Sequence, residues 1–365
     1  MSISDAINNA RNKINNVYST LEAKGAPMPS VKNLNNLSAT INELPEISAL
    51  NGWTYSGANG TLILKTYTGT YDSTINVPAM NGVYVNNWVN TSSSGTTDFN
   101  RQTPFYNNPN VVSVDLQKVP FVNNSMGYAF YNCQNLVNVG TLNSNVTNMS
   151  YTFALCNSLN QNIQIPTSVT DIDYTFLNCR NLINQNIHVP DSVVSMVGTY
   201  QMCYNLTPNY VHIGNSVEVM ANSFQLCQNF NPSVPIIIPN SVTNMYQTFH
   251  QCFNLNQKVQ IGNSVKSLVG TFNRCTKLIS DVSILSEQVE YANFFFEMAG
   301  YDYDSHSYLP KNVYIPFKYS NGVNTQTFDS FRIAGYLYTN GVSNNQHGVT
   351  VYDLNAQQEE IEQND

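Results

Sequence analysis

The chain has 365 residues, only 10% of them charged, and a formal net charge of -8. It holds neither the basic patch that nucleic acid requires nor the Lys/Arg cluster drawn to an anionic membrane surface, which excludes both as expected partners. No stretch reaches the roughly 18 consecutive apolar residues of a membrane span, and the abundant Asn, Gln, Ser and Thr suit sugar hydroxyls or tight protein assembly better than charged ligands.

The first 45 residues are different in kind from the rest. Ile3, Ile7, Ala10, Ile14, Val17 and Leu21 step by four and three, the seam of a heptad repeat. Gly25-Ala-Pro27 and Pro29 end that helix. Ser30 is a suitable N-cap for a second apolar series running from Val31 to Leu44. Two readings stand together: a helical hairpin packed on the rest of the chain, or an attachment and self-association module, giving a homo-oligomer, whose assembly residues are Ile3, Ile7, Ile14, Val17 and Leu21. The start, Met1-Ser-Ile-Ser-Asp-Ala-Ile, has neither the basic nor the apolar region of a signal peptide. Synthesis in a reducing cytoplasm is therefore expected, with the seven cysteines kept as thiols.

Residues 46–97 read as an amino-terminal β cap. Between Trp53 and Pro78 the pattern is strand, Ala-Asn-Gly turn, strand, turn and strand.

From residue 98 to 335 one unit recurs. Cys133, Cys156, Cys179, Cys203, Cys227, Cys252 and Cys275 are 23 to 25 residues apart, each with an aromatic three residues before and a Leu or Phe three after. Seven residues before the aromatic stands a Val, from Val146 to Val289, and three after that Val a Met, Ile or Leu, then Ala292. A short strand follows, such as Ile163-Gln-Ile-Pro166, Ile187-His-Val-Pro190 or Val259-Gln-Ile-Gly262. Its first and third residues should point inward and its middle one outward. Turn formers such as Asp191-Ser192 and Asn215-Ser216 come next, able to satisfy local backbone amides. A single coil cannot bury its Val, Met, Phe, Cys and Leu, whereas coils stacked about 5 Å apart make ladders of like residues and one continuous core. The cysteines then act as small buried hydrophobes, and Asn135, Asn181, Asn205, Asn229 and Asn254, each just before the Leu or Phe, form a turn ladder. The period decays toward both ends, and residues 336–365 read as a carboxyl-terminal cap with a polar, acidic tail from Gln357.

The pattern Val-x-x-Met/Ile, Phe-x-x-Cys-x-x-Leu, Ile-x-Ile-Pro resembles the BspA-like leucine-rich repeats. That resemblance implies an α+β repeat protein, a solenoid of period about 24 with a short helical module before it. Gly60-Thr-Leu-Ile-Leu-Lys65 and Ile75-Asn-Val-Pro78 resemble the way such arrays begin. The opening Ala-Ile-x-x-Ala-x-x-Lys-Ile, with Leu-Glu-x-Lys-Gly-Ala-x-Met-Pro, resembles the attachment region of structural proteins from tailed phages of Gram-positive gut bacteria.

Motifs of catalysis and metal or cofactor binding are missing, so neither an enzyme nor a cofactor is expected. His188 and His212 share the outward strand position of successive coils, with no carboxylate or Cys in their column to complete a metal site. Two surfaces are candidates for contact with a ligand. Tyr128, Tyr151 and Tyr174 each lie two residues before the ladder aromatic, and stacked Tyr can serve sugar faces or simply cover the coil edge. Where the period lapses, an inserted loop carries Tyr301, Asp302, Tyr303, Asp304, His306 and Tyr308, and insertions in repeat arrays often map to the binding face. Together with the two resemblances this implies a virion protein, of tail-fibre, baseplate or head-fibre type. It would attach to other virion proteins through its amino-terminal module and meet a host cell-surface glycan or protein with its solenoid. A decoration protein touching only viral partners and a bacterial surface adhesin are the alternatives.

Overall fold

The computed structural model describes residues 12–20, 22, 32, 36, 52–58, 61–69, 74–77, 83–85, 103–309 except 184, 185 and 293, then 311–315 and 349–353. Residues 12–20 are helical. The strands, in chain order, are β1 (Trp53–Ala58), β2 (Thr61–Tyr67), β3 (Ile75–Asn76), β4 (Val83–Val85), β5 (Val114–Asp115), β6 (Asn186–His188), β7 (Tyr210–His212), β8 (Ile236–Ile237), β9 (Val259–Ile261), β10 (Val282–Ile284), β11 (Tyr301–Asp302), β12 (Ser307–Tyr308), β13 (Lys311–Ile315) and β14 (Val349–Asp353). β1, β2 and β3 fall where the sequence places the three strands of the amino-terminal cap.

Each coil touches its neighbours on two sides. On one, Ser125, Asn148, Asp171, Ser195, Val219, Asn244, Ser267 and Tyr291 are joined coil to coil by an unbroken run of parallel bridges. On the other lie the short strands, which pair in parallel: β3 with β5, β6 with β7, and β8, β9, β10, β13 and β14 in that order. β14 thus continues the sheet beyond the point where the repeat fades from the sequence. Its residues lie in a segment expected to hold only a cap and a tail.

Between the two sides runs the core. Phe105, Phe130, Phe153, Phe176, Tyr200, Phe224, Phe249, Phe272 and Phe296 stack ring on ring, centroids 5.0 to 5.6 Å apart and planes within 14° of parallel. Trp53 of β1 meets Phe105 edge-on at 5.7 Å and 85°. This closes the exposed face that the first ring would otherwise present. All seven cysteines are buried and free, and burial pushes the Cys133 thiol up to about 12.

The cysteines do more than fill space. Each Sγ donates to the carbonyl of the preceding coil's ladder aromatic, from Cys133 to Phe105 at 2.9 Å through Cys275 to Phe249 at 3.0 Å. Each of these carbonyls already accepts a main-chain N–H of its own coil, as Phe153 O does from Cys156 N at 3.1 Å, so the thiol adds a second, weak donor that ties neighbouring coils together. A second polar ladder has no place in the sequence reading. Thr152, Thr175, Thr199, Ser223, Thr248 and Thr271 are fully buried one residue before the aromatic. Thr199 Oγ1 faces Met196 O at 2.8 Å in its own coil and Ile172 O at 3.0 Å in the coil before.

Four expectations need correction. No strand forms at 163–166, although Ile163 and Ile165 do point inward. The turn formers bond across coils: Asp191 Oδ1 accepts from Asn215 N at 2.7 Å, and Ser192 Oγ donates to Val169 O. Ser283 and Tyr314, in the outward column of the strands, are buried. The Asn column forms its ladder from Asn181 on, with Asn254 donating to Asn229, Asn229 to Asn205 and Asn205 to Asn181, whereas Asn135 donates to Pro109 O at 2.8 Å. In the helix, Val17 is 40% exposed while Tyr18 is fully buried, so the burial does not follow the heptad seam. Ile14 is half-buried; Ile3, Ile7 and Leu21 lie outside the described residues.

Candidate functional site

The tyrosine column forms a real stack. Tyr128 to Tyr151 and Tyr151 to Tyr174 are each 4.7 Å between centroids, inclined by 8° and 21°. All three residues hold left-handed backbone, φ 57°, 54° and 53°, a region that bulky side chains rarely enter. The same position in later coils is held by Gly198, Asn222, Gln247, Gly270 and Phe294, all left-handed too. The coil geometry therefore demands this conformation, and Gly and Asn meet it without strain. Gly198 is required twice over, because a Cβ there would come within 2.4 Å of the Tyr174 ring.

This geometry limits what the stack can do. The rings cover one another's faces and Gly198 covers the last, leaving edges and hydroxyls to meet a partner. A second pair, Tyr106 on Tyr131 at 5.3 Å, widens the strip. Burial, then the neighbouring Tyr128, Tyr174 and Asp173, pushes the Tyr151 phenol up to about 12, so it stays a hydrogen-bond donor at neutral pH.

The inserted segment is an ordered hairpin. β11 and β12 pair antiparallel, Tyr301 opposite Tyr308 and Asp302 opposite Ser307. Asp302 builds the turn between them: Oδ1 accepts from Asp304 N at 3.0 Å and Oδ2 from Ser305 Oγ at 2.6 Å. The Ser305 and Asp304 hydrogen bonds also hold the Asp302 carboxyl below its usual range. With both oxygens engaged by the hairpin itself, Asp302 is first a turn residue. His306 sits exposed at the bend with φ 49°. Tyr303 is 60% exposed and meets Tyr301 edge-on at 5.0 Å.

Beside the hairpin lies a groove of about 420 Å³, lined by Tyr301, Asp302, Tyr303 and Asp304 and by residues that the sequence reading did not single out. These are Asn256, Thr276, Lys277, Ile279 and Leu309. The sequence carries no signal for them: Ile279 follows the ladder Leu278 as Val137 and Ile183 follow theirs in other coils. Below the hairpin, Lys311 is buried with Nζ donating to Leu309 O at 3.3 Å, and burial lowers its ammonium to about 8. The side chain of Tyr308 lies outside the described residues.

The structure does not bring the two candidate surfaces together: the column belongs to the coils of Tyr128 to Tyr174, the hairpin to the far end of the stack. His188 and His212 stack at 4.6 Å with planes 13° apart, ring on ring. Among the described residues, no group of three or more His, Cys, Asp or Glu is placed to hold a metal ion.

Residues 100–231 match the family described as the BspA type leucine rich repeat region, in six copies. Residues 214–307 match a family described as a Mycoplasma protein of unknown function. The bridge ladder and ring stack run through both stretches, and residues 100–231 carry BspA-type leucine-rich repeats. No curated protein matches the chain. Among solved structures, a leucine-rich repeat protein from Bacteroides ovatus is similar at 14% identity and a TM-score of 0.30, over 83% of this chain and 98% of that one. A leucine-rich repeat protein of T. pallidum gives 21% and 0.32 over 67% and 88%. A leucine rich cell surface protein from Faecalibacterium prausnitzii gives 16% and 0.28 over 73% and 87%.

Proposed function

We propose that this chain is a non-enzymatic recognition protein whose leucine-rich solenoid displays a contact surface to a cell-surface glycan or protein. The observation that carries this reading is the hairpin groove, where exposed Tyr303, Ile279 and Leu309 and half-buried Tyr301 stand beside Asp304, Asn256 and Lys277. Aromatic and apolar anchors mixed with polar groups are the chemistry of binding hot spots. The regular interior of the coils supplies a rigid support at low variation. The setting we propose is a phage virion. The amino-terminal module would attach the chain to other virion proteins, and the coils would project toward the host.

A second reading, a decoration protein with viral partners only, draws on the exposed Val17 of the helix, an apolar residue open to an assembly partner. The test uses the fluorescently labelled full chain on a panel of Gram-positive gut bacteria. Saturable binding is expected, and Tyr301→Ala with Tyr303→Ala should weaken it by about tenfold or more, equivalent to roughly 1.4 kcal/mol, at unchanged melting temperature. Equal binding by the variant removes the hairpin from recognition. Binding to no cell, with incorporation into particles, favours decoration.

A further inference from the structure

The strand side of the stack is interrupted at residues 162–166, and again between β7 and β8, which lie in separate sheets. Residues 140–144 and 162–166 share a groove but make no main-chain hydrogen bond to each other, and 162–165 make none to the described residues of the coil that follows. At other coils the equivalent segments pair, as Ile187 does with Val211 and Val259 with Val282.

Side chains close the gap at both ends. At one, Gln161 substitutes for a peptide unit: Oε1 accepts from Val139 N at 3.0 Å and Nε2 donates to Gly140 O at 3.4 Å. At the other, Ser168 Oγ donates to Ser144 O at 2.6 Å. Between these clamps lies a groove of about 340 Å³, with Ile163 and Ile165 on its floor, 7% and 8% exposed. Of their counterparts, Ile187, Val189, Val259 and Ile261 are shut to 1% or less, while Val211, at the other break in the strand side, is 8% exposed. Leu142, Thr141 and Gln164 complete the lining, and none of the lining residues is charged.

We infer that this slot is a strand-addition site for an uncharged, extended peptide. Backbone N–H and C=O groups left open beside a groove are satisfied by another main chain, the mode by which extended peptides join sheets. The five residues 162–166 span about 16 Å at strand rise, which sets the length of the occupant at about five residues. Alternate inward isoleucines fit the two-residue repeat of such a peptide, and an uncharged lining fits an uncharged one. A sugar chain offers hydroxyls without that repeat. The inference is independent of the hairpin.

The test is hydrogen exchange on the full-length protein, with a panel of acetylated, amidated pentapeptides of Val, Ile, Thr and Gln. In the free protein the amides of 162–165 should exchange at least about a hundredfold faster than those of Ile236 and Val259, which donate to Lys258 O and Asp281 O. Adding peptide should slow them. Methylating alternate main-chain nitrogens of the peptide should weaken binding roughly tenfold or more. So should Gln164→Pro, which removes an N–H that the fold leaves unbonded, and Thr141→Trp, which fills the groove, both at near-normal melting temperature. Slow exchange without peptide, equal binding of methylated peptides, no protection by any peptide, or protection by a neutral oligosaccharide instead would each overturn the inference.

Discussion

The inner half of each coil and its outer positions obey different rules. Inside, the order Thr, Phe, Cys, Leu repeats from Cys156 to Cys275 with few exchanges, because three ladders must register at once: rings on rings, thiols on carbonyls and hydroxyls on carbonyls. Outside, the left-handed column passes through Tyr, Gly, Asn, Gln and Phe under one backbone constraint. Conformation is held fixed there while chemistry varies. Recognition can therefore be written on the stack without disturbing its interior.

The largest break in this contrast should come from a ladder ring. Phe176→Ala removes a fully buried ring stacked on both sides and should cost about 3–5 kcal/mol, read by denaturant unfolding. Thr199→Val keeps the shape and deletes the hydroxyl. Both carbonyls it faces retain a main-chain partner, Thr175 N on Ile172 O and Thr199 N on Met196 O, so the loss should be about 1 kcal/mol. A loss as large as that of the ring would mean that the hydroxyl ladder dominates.

Alkaline titration separates coil interior from hairpin base. The Cys133 thiol is raised by burial from 9.0 to about 12, so the native state holds its proton longer than the unfolded one and stability falls between those values. Lys311 is lowered by burial from 10.5 to about 8, so here the unfolded state binds the extra proton and stability rises over that interval. Lys311→Met should abolish the rise and leave the thiol-linked fall intact, measured as unfolding free energy against pH.

The smallest effect belongs to the outer column. Tyr151→Gly loses two stacking contacts and relieves a strained backbone of comparable magnitude, about 1 kcal/mol each. Its melting temperature should hardly move. A marked drop would place the tyrosines with the interior.

The parts legible in sequence follow from this contrast. Residues such as Phe153, Cys156 and Leu159 are apolar and periodic, so their ladders could be read from spacing alone. Thr152 and Thr175 share that period, but hydroxyl residues read as turns unless their carbonyl partners are seen. The φ of Tyr151 is invisible in its side chain; Gly198 and Gly270 in the same column were the available sign. The hairpin at 301–308 was legible as an interruption and not as paired strands, because Asp302 and Ser305 form their turn through side chains. The gap at 162–165 was unreadable, since Ile163-Gln-Ile-Pro166 matches its paired neighbours in composition and differs only in partners.

The account rests on one sealed interior, and thiol labelling probes it most directly. Native protein at pH 8 should leave all seven cysteines unmodified by a small alkylating reagent, since each is buried and each thiol donates to a carbonyl of the coil before it. Guanidinium should expose them together. Rapid labelling of Cys179 or Cys203 in the native protein, in the middle of the stack, would contradict it.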